Sequence, residues 1–61
     1  MNRFKEVQDL VSSLEGDFSK FYEHGNASAG TRIRGGMQTL KTLAQDVRTQ
    51  VQDMKNKKAL E

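Results

Sequence analysis

The chain contains no cysteine, no proline and no tryptophan, and only one histidine among its 61 residues. Without cysteine, neither a disulfide nor a thiolate metal site can stabilise the domain. A chain of this length buries too little surface to be comfortably stable alone, so oligomerisation is the remaining common route to stability. The sequence also has no apolar run long enough for a signal segment or a membrane span, and we therefore expect a cytoplasmic protein.

The net charge of +2 is modest, but the charge is unevenly distributed along the chain. Residues 1–24 carry three cations against five acids, a net of −2, and residues 25–61 carry seven cations against three acids, a net of +4. Such asymmetry is typical of an acidic support joined to a basic working surface. The last two residues, Leu60 and Glu61, could be a cloning remnant, so nothing is inferred from them.

Apolar residues in the first half recur at alternating steps of three and four, which predicts one amphipathic helix from about residue 2 to residue 24. The pattern is a heptad seam with alternating a and d positions. The a positions are Phe4, Val11 and Phe18, and the d positions are Val7, Leu14 and Phe21.

The second half repeats this spacing over a longer span, which predicts a helix from 27 to about 57 followed by a frayed tail at 58–61. Its seam residues are Ile33, Met37, Leu40, Ala44, Val47, Val51 and Met54. Between the helices, Gly25 is suited to the left-handed conformation that ends a helix, and Asn26 is a natural N-cap for the next one. For Gly36 we predict close packing against a neighbouring helix. For Gly35, packing and the close approach of a ligand both remain open.

Two amphipathic helices joined by a turn at 25–26 predict a single all-α domain, an antiparallel coiled-coil-like hairpin. In that pairing Val51 and Met54 extend past the end of the first helix, and Leu10 and Leu43 lie at g positions, on one edge of the seam. Exposed apolar surface on this scale usually marks an interface. We therefore predict a homodimer, a four-helix bundle with Leu10, Leu43, Val51 and Met54 at its interface.

Four cations on the second helix recur every seven residues and form one row, which we call the basic stripe: Arg34, Lys41, Arg48 and Lys55. Such a row is often no more than a solvated face with weak ion pairs. Its length favours a nucleic acid, because roughly 31 Å of helix could follow a run of phosphates. Arg32 and Arg34 also lie near a helix N-terminus, where the macrodipole disfavours cations unless an anion binds there.

Catalytic or metal-binding chemistry finds little support in the sequence. His24 beside Glu23 is one imidazole and one carboxylate without further convergent ligands, which is a poor metal site. The glycine spacing matches neither a phosphate-binding loop nor a dinucleotide fingerprint. Tyr22 and Phe21 fit the seam and its edge better than they fit a base-stacking platform. We predict a protein that is not an enzyme and that needs no cofactor.

The run GNASAGTRIRGGMQTLKTLAQDVRTQVQDMK resembles the chlamydial-type histone-like proteins of bacteria, a family compared by composition with eukaryotic linker histones. The resemblance lies in a Gly-Asn turn, small residues, an Arg-x-Arg and a long amphipathic helix. The matching positions are Gly25, Asn26, Ala27, Ala29, Arg32 and Arg34. The preceding FKEVQDLVSSLEGDFSKFYEHGN looks like the acidic first helix of short members. Longer members carry a Lys- and Ala-rich tail, whereas this chain has only Lys55, Lys57 and Lys58 there.

The resemblance implies nucleoid association and chromosome compaction. Together with the basic stripe it predicts a homodimer that binds duplex DNA through phosphates without reading sequence, using Arg32, Arg34, Lys41, Arg48 and Lys55. The competing interpretation is a helical protein–protein interaction module that does not bind DNA directly. A membrane-surface helix is disfavoured, because the apolar seam is narrow and the cations do not surround an exposed aromatic face.

Overall fold

The computed structural model describes the backbone of residues 2–59 and the side chains of residues 2–57. It contains three helices: α1 (Phe4–Ser13), α2 (Glu15–His24) and α3 (Ala27–Ala59). Within this range there is no strand, so the prediction of an all-α chain is confirmed. Helix α3 continues to Ala59, two residues beyond the predicted end of the second helix, and Leu60 and Glu61 lie outside the described residues.

The first segment differs from the single helix that its apolar spacing predicts, because it is interrupted at Leu14. The Leu14 amide donates to the carbonyl of Val11 at 3.1 Å, a three-residue step in place of the four-residue step of an α-helix. Just before the interruption, the Ser13 hydroxyl donates to the Leu10 carbonyl at 2.7 Å. Hydroxyls bonded back to the preceding turn in this way often bend helices. Helix α2 then restarts at once, with the Phe18 amide donating to the Leu14 carbonyl at 3.0 Å.

The connection between α2 and α3 consists of Gly25 and Asn26. Gly25 has φ 63°, the left-handed conformation predicted for it, and its amide donates to the Phe21 carbonyl at 3.0 Å. The Asn26 side-chain oxygen accepts from the Ala29 amide at 3.0 Å, which confirms Asn26 as the cap of α3. Both ends of the connection are therefore satisfied by hydrogen bonds among residues 21–29.

Helix α3 folds back along α2 and α1. Gly30 lies against Phe21, Gly36 lies against Leu14, and a carboxylate oxygen of Asp46 is 3.9 Å from Arg3. A Cβ on Gly36 would be 2.5 Å from Cδ2 of Leu14, which confirms that this glycine permits close helix packing. Gly35 has no such neighbour within 4 Å.

The rows of side chains that face inward differ from the predicted seam. Leu14 is 7% exposed and Ala29 is 0% exposed, and they are the only buried side chains among those described. The half-buried apolar side chains lie in the d and g rows: Val7, Leu10, Ile33, Leu40, Leu43 and Val47. Most of the a row is exposed, and we call these side chains the outer apolar face: Phe4, Val11, Phe18, Met37, Ala44 and Val51.

The prediction that the a row lies inside the seam is therefore wrong, and small side chains explain the difference. Ala29 and Gly36 both occupy the g row of α3, so α3 approaches α2 most closely along that row. A close approach through the g row turns the a row outward. Leu10 and Leu43 are consequently half-buried within a single chain, whereas we expected them to lack cover there.

No helix in residues 2–59 is both long enough and apolar enough to span a membrane.

Candidate nucleic-acid interface

All four residues of the basic stripe are on α3 and are exposed to solvent. Among the described residues, none of the four forms an ion pair with a carboxylate. Helix α3 runs without interruption from Ala27 to Ala59, so a seven-residue spacing keeps the four cations on one side over roughly 31 Å. The stripe is thus a straight, unneutralised row that could contact several anionic groups at once.

Arg32 is placed differently from the stripe, although the sequence groups it with the same contacts. Its Nε donates to Oδ1 of Asp17 at 2.8 Å, and this links α3 to α2. The Asp17 side chain is 16% exposed, so the pair is partly shielded from water. Arg32 can therefore offer an anion only its remaining guanidinium N–H groups. Asp17 could not be identified from the sequence, because no local pattern indicates a partner fifteen residues away.

The cations near the start of the chain are also held by acids. Arg3, the residue before α1, contacts Glu6 in α1 and Asp46 in α3, and Lys5 lies 3.2 Å from Asp9. The contrast with the basic stripe is marked, because both of these cations have acidic partners, whereas no residue of the stripe forms an ion pair within the part of the chain that the structure describes. Arg3 and Lys5 are therefore less available to an external anion than the cations of the basic stripe.

An aromatic cluster lies at the turn end of the molecule. The rings of Phe18 and Tyr22 are stacked with centroids 6.0 Å apart, and the rings of Phe21 and Tyr22 meet edge to face at 5.3 Å. Phe21 and Tyr22 also line an open groove of about 350 Å³ together with Ile33 and Arg34. Tyr22 packs on two rings of its own helix and is 75% exposed, so its place at the edge of the seam stays a prediction.

A second groove, of about 320 Å³, lies at the opposite end of the molecule. It is lined by residues from both segments, among them Phe4, Val7, Val47, Val51 and Met54. Val51 is 50% exposed and Met54 is 64% exposed, as expected for residues that extend past the first segment. Their assignment to a dimer interface, together with Leu10 and Leu43, stays a prediction.

His24 is exposed at the end of α2. In the part of the chain that the structure describes, no group of three or more His, Asp or Glu side chains could hold a metal ion.

A family model described as histone H1-like protein Hc1 matches residues 1–57 of the chain. The chain belongs to this family. The match confirms the resemblance to chlamydial histone-like proteins that the Gly-Asn turn and the Arg-x-Arg indicated. Comparison with curated proteins and with solved structures gave no match. The range that defines this chain as an Hc1-family member includes the capped turn, the Arg32–Asp17 pair and the whole basic stripe.

Proposed function

We propose that this Hc1-family chain is a nucleoid-associated protein of the bacterial cytoplasm that binds duplex DNA without reading its sequence. Its role is structural and not enzymatic, a contribution to chromosome organisation. The observation that carries the proposal is the basic stripe, an exposed row of cations without carboxylate partners in the described structure. Membership of a histone H1-like family supports DNA as the anion.

The stripe suits phosphates better than base edges. Contacts to phosphates fix a protein on the duplex but carry no direct sequence information, and Arg and Lys are the usual donors. The cations of the stripe are about 10 Å apart along α3, which is about three base steps of duplex DNA. Arg34, Lys41, Arg48 and Lys55 would act as cations against phosphate oxygens, and Arg32 would contribute with the part of its guanidinium that Asp17 leaves free.

We further propose that the chain works as an antiparallel helical hairpin that dimerises into a four-helix bundle. The exposure of Val51, Met54 and the outer apolar face supports a partner, because a soluble monomer seldom exposes so much contiguous apolar surface. A dimer would present the stripe twice. Two copies of Arg34, Lys41 and Arg48 could neutralise about six phosphates, so the logarithm of affinity should fall against the logarithm of salt with a slope near −5.

Replacing Arg34, Lys41 and Arg48 together with Gln tests the stripe, because Gln keeps helix propensity and removes the charge. We expect a flatter salt slope and weaker binding to all DNA sequences alike, measured by fluorescence anisotropy over a range of salt concentrations. The control removes the same charge from the first segment, with Arg3, Lys5 and Lys20 replaced by Gln. Equal losses from the two triple variants would mean that binding follows net charge, and the stripe would then have no special role.

A helical protein–protein interaction module without direct DNA binding is the second candidate, and the outer apolar face favours it. This candidate predicts no shift of a nonspecific duplex in an electrophoretic mobility assay at low salt. The DNA-binding proposal predicts a clear shift under the same conditions, since electrostatic binding is strongest there.

A further inference from the structure

We infer that the outer apolar face is the surface through which two copies of this chain pair, with α3 of each copy lying over α1 and α2 of its partner. The inference rests on the homodimer in the proposed function, and it adds the surface and the arrangement. It replaces the Leu10 and Leu43 edge as the centre of the interface, because those two side chains are already half-buried within one chain.

The a rows of the two segments lie on the same side of the molecule. When two helices run in opposite directions and meet through their d and g rows, both a rows project to one side of the plane that contains the two axes. The groove at the open end agrees with this placement, since Phe4 and Val51 line it together. Phe4 is 66% exposed and Val11 is 52% exposed, so the face is uncovered along α1.

The side of the molecule that carries the outer apolar face is large enough for a dimer interface. The molecule measures 54 × 16 × 13 Å, so its two larger dimensions bound that side at on the order of 800 Å². A standard protein–protein interface buries about 800 Å² on each partner. All six members of the face are apolar, as the fully buried centre of an interface requires.

Large and small residues alternate so that two such faces can fit together. Contacts within the chain show which residues of the two segments lie at the same level along the helix axes, with Leu14 beside Gly36 and Arg3 beside Asp46. A two-fold axis parallel to the helices does not shift residues along that direction. Residues at the same level within one chain therefore also lie at the same level in the two copies. Phe4 then lies over the partner's Ala44, and Val11 lies over the partner's Met37. The Phe4 ring therefore meets the smallest residue of the partner's outer apolar face, which is how packed interfaces avoid voids and clashes.

Charge selects this arrangement over the alternative in which α3 lies on α3. The edge of α3 beside the apolar face carries the four cations of the basic stripe and no acid. The corresponding edge of α1 and α2 carries Gln8, Glu15 and Tyr22, one acid and no cation. Placing α3 on α3 would bring two basic stripes together, whereas placing α3 over α1 and α2 brings each stripe beside an edge that carries an acid and no cation.

The arrangement also gives the cations of the basic stripe different binding partners. At the levels set by the intrachain contacts, Arg34 lies beside the partner's Glu15, and Lys41 lies beside the partner's Gln8. No carboxylate of this edge reaches Arg48 or Lys55. Arg34 therefore shares its guanidinium between the partner's Glu15 and a phosphate, and Lys41, Arg48 and Lys55 remain wholly available to phosphates.

Single aspartates on the face test the surface by sedimentation equilibrium without DNA. Val11→Asp and Val51→Asp change side chains that are at least half exposed in one chain, so they should spare its own fold. Their matched controls are the adjacent exposed positions, Ser12→Asp and Gln52→Asp. We expect the wild-type chain of 6.9 kDa to sediment as a dimer. Both face variants should weaken dimerisation by at least about 100-fold, because each buries an unpaired charge.

We expect the two controls to change dimerisation by less than about threefold. Face variants that dimerise as tightly as their controls would overturn the inference, and so would a folded wild-type monomer at micromolar concentration. No DNA is present, so failure here leaves the test of the basic stripe intact. Conversely, loss of the stripe's effect on DNA binding would leave this test unchanged.

Disulfide trapping tests the arrangement separately, and the natural absence of cysteine makes it unambiguous. Chains carrying Val11→Cys and chains carrying Met37→Cys are mixed, oxidised and weighed by mass spectrometry. We expect the mixed 11–37 disulfide to predominate, because a disulfide requires Cα atoms within about 7 Å. Predominance of 11–11 and 37–37 disulfides would overturn the arrangement, since those products require like helices to face each other.

Discussion

The two ends of the molecule are built differently, although the same pair of segments forms both. At the turn end, from Leu14 to Gly36, backbone hydrogen bonds cap the helices and a buried alanine and leucine fill the interface. At the open end, Phe4, Val51 and Met54 surround a groove and stay largely exposed. One end is packed within a single chain, and the other leaves large apolar side chains exposed.

The difference comes from side-chain size next to the contact. Ala29, Gly30 and Gly36 allow α3 to touch the side chains of Phe21 and Leu14 directly. Beyond Leu40 the chain has no glycine, and the corresponding face carries larger or longer side chains. Small residues thus set the helix separation at the turn end, where close contact contributes most to stability.

The comparison is tested most strongly by truncating one apolar side chain at each end. Leu14→Ala should cost about 2–5 kcal/mol, because Leu14 is 7% exposed and packs against Gly36. Met54→Ala should cost less than about 1 kcal/mol in the unpaired chain, because Met54 is 64% exposed. Urea unfolding at low protein concentration measures both. Equal losses would show that the open end is as well packed as the turn end.

Two adjacent glycines sharpen the comparison further. Gly36→Ala should destabilise the fold by about 1–3 kcal/mol, because the new Cβ would lie 2.5 Å from Leu14. Gly35→Ala is its matched control and should stabilise the helix by up to about 1 kcal/mol, since nothing lies within 4 Å of that position. For a domain of this size each kcal/mol corresponds to about 4–8 °C in melting temperature. Shifts of the same sign would disprove the close contact at Gly36.

The smallest expected contrast is between the two asparagines that accept a backbone hydrogen bond. Asn26→Ala should cost about 1 kcal/mol, because its oxygen caps α3 at the turn. The Asn2 oxygen accepts from the Phe4 amide at 2.8 Å, but it does so at the exposed start of the chain. We expect Asn2→Ala to cost only a few tenths of a kcal/mol, because terminal turns fray. Thermal unfolding followed by circular dichroism resolves the two, and a larger loss at Asn2 would reverse the assignment of the stable end.

The turn could be predicted from the sequence because its determinants are local. Gly25 adopts φ 63° and Asn26 caps α3, and each needs only a few neighbouring residues to do so. The packing of Gly36 was predictable only in part: a glycine inside a long helix is costly, which suggests a close neighbour, but the same reasoning applies to Gly35, which has no neighbour within 4 Å. The basic stripe followed from seven-residue spacing alone, because an uninterrupted helix keeps that spacing on one side.

The inward rows could not be predicted with the same certainty, because apolar residues occupy the a, d and g rows together. Heptad spacing favours a with d, but Ala29 and Gly36 in the g row bring the helices together there. Treating Ala29 and Gly36 as one row of small residues would have predicted that the g row faces inward and the a row outward. The interruption at Leu14 and the pairing of Arg32 with Asp17 depend on three-dimensional contacts that helical periodicity does not contain.

The two-residue connection at Gly25 and Asn26 also determines the order in which contacts between the helices form during folding. Contact between Phe21 and Gly30 closes a short loop, whereas contact between Arg3 and Asp46 closes a much longer one, residues 3–46. The entropic cost of loop closure rises with loop length, so helix pairing during folding should begin at the turn and proceed toward the chain ends. Short-range contacts of this kind favour folding in about microseconds to milliseconds. The open end would then be the last part to form and the first to separate.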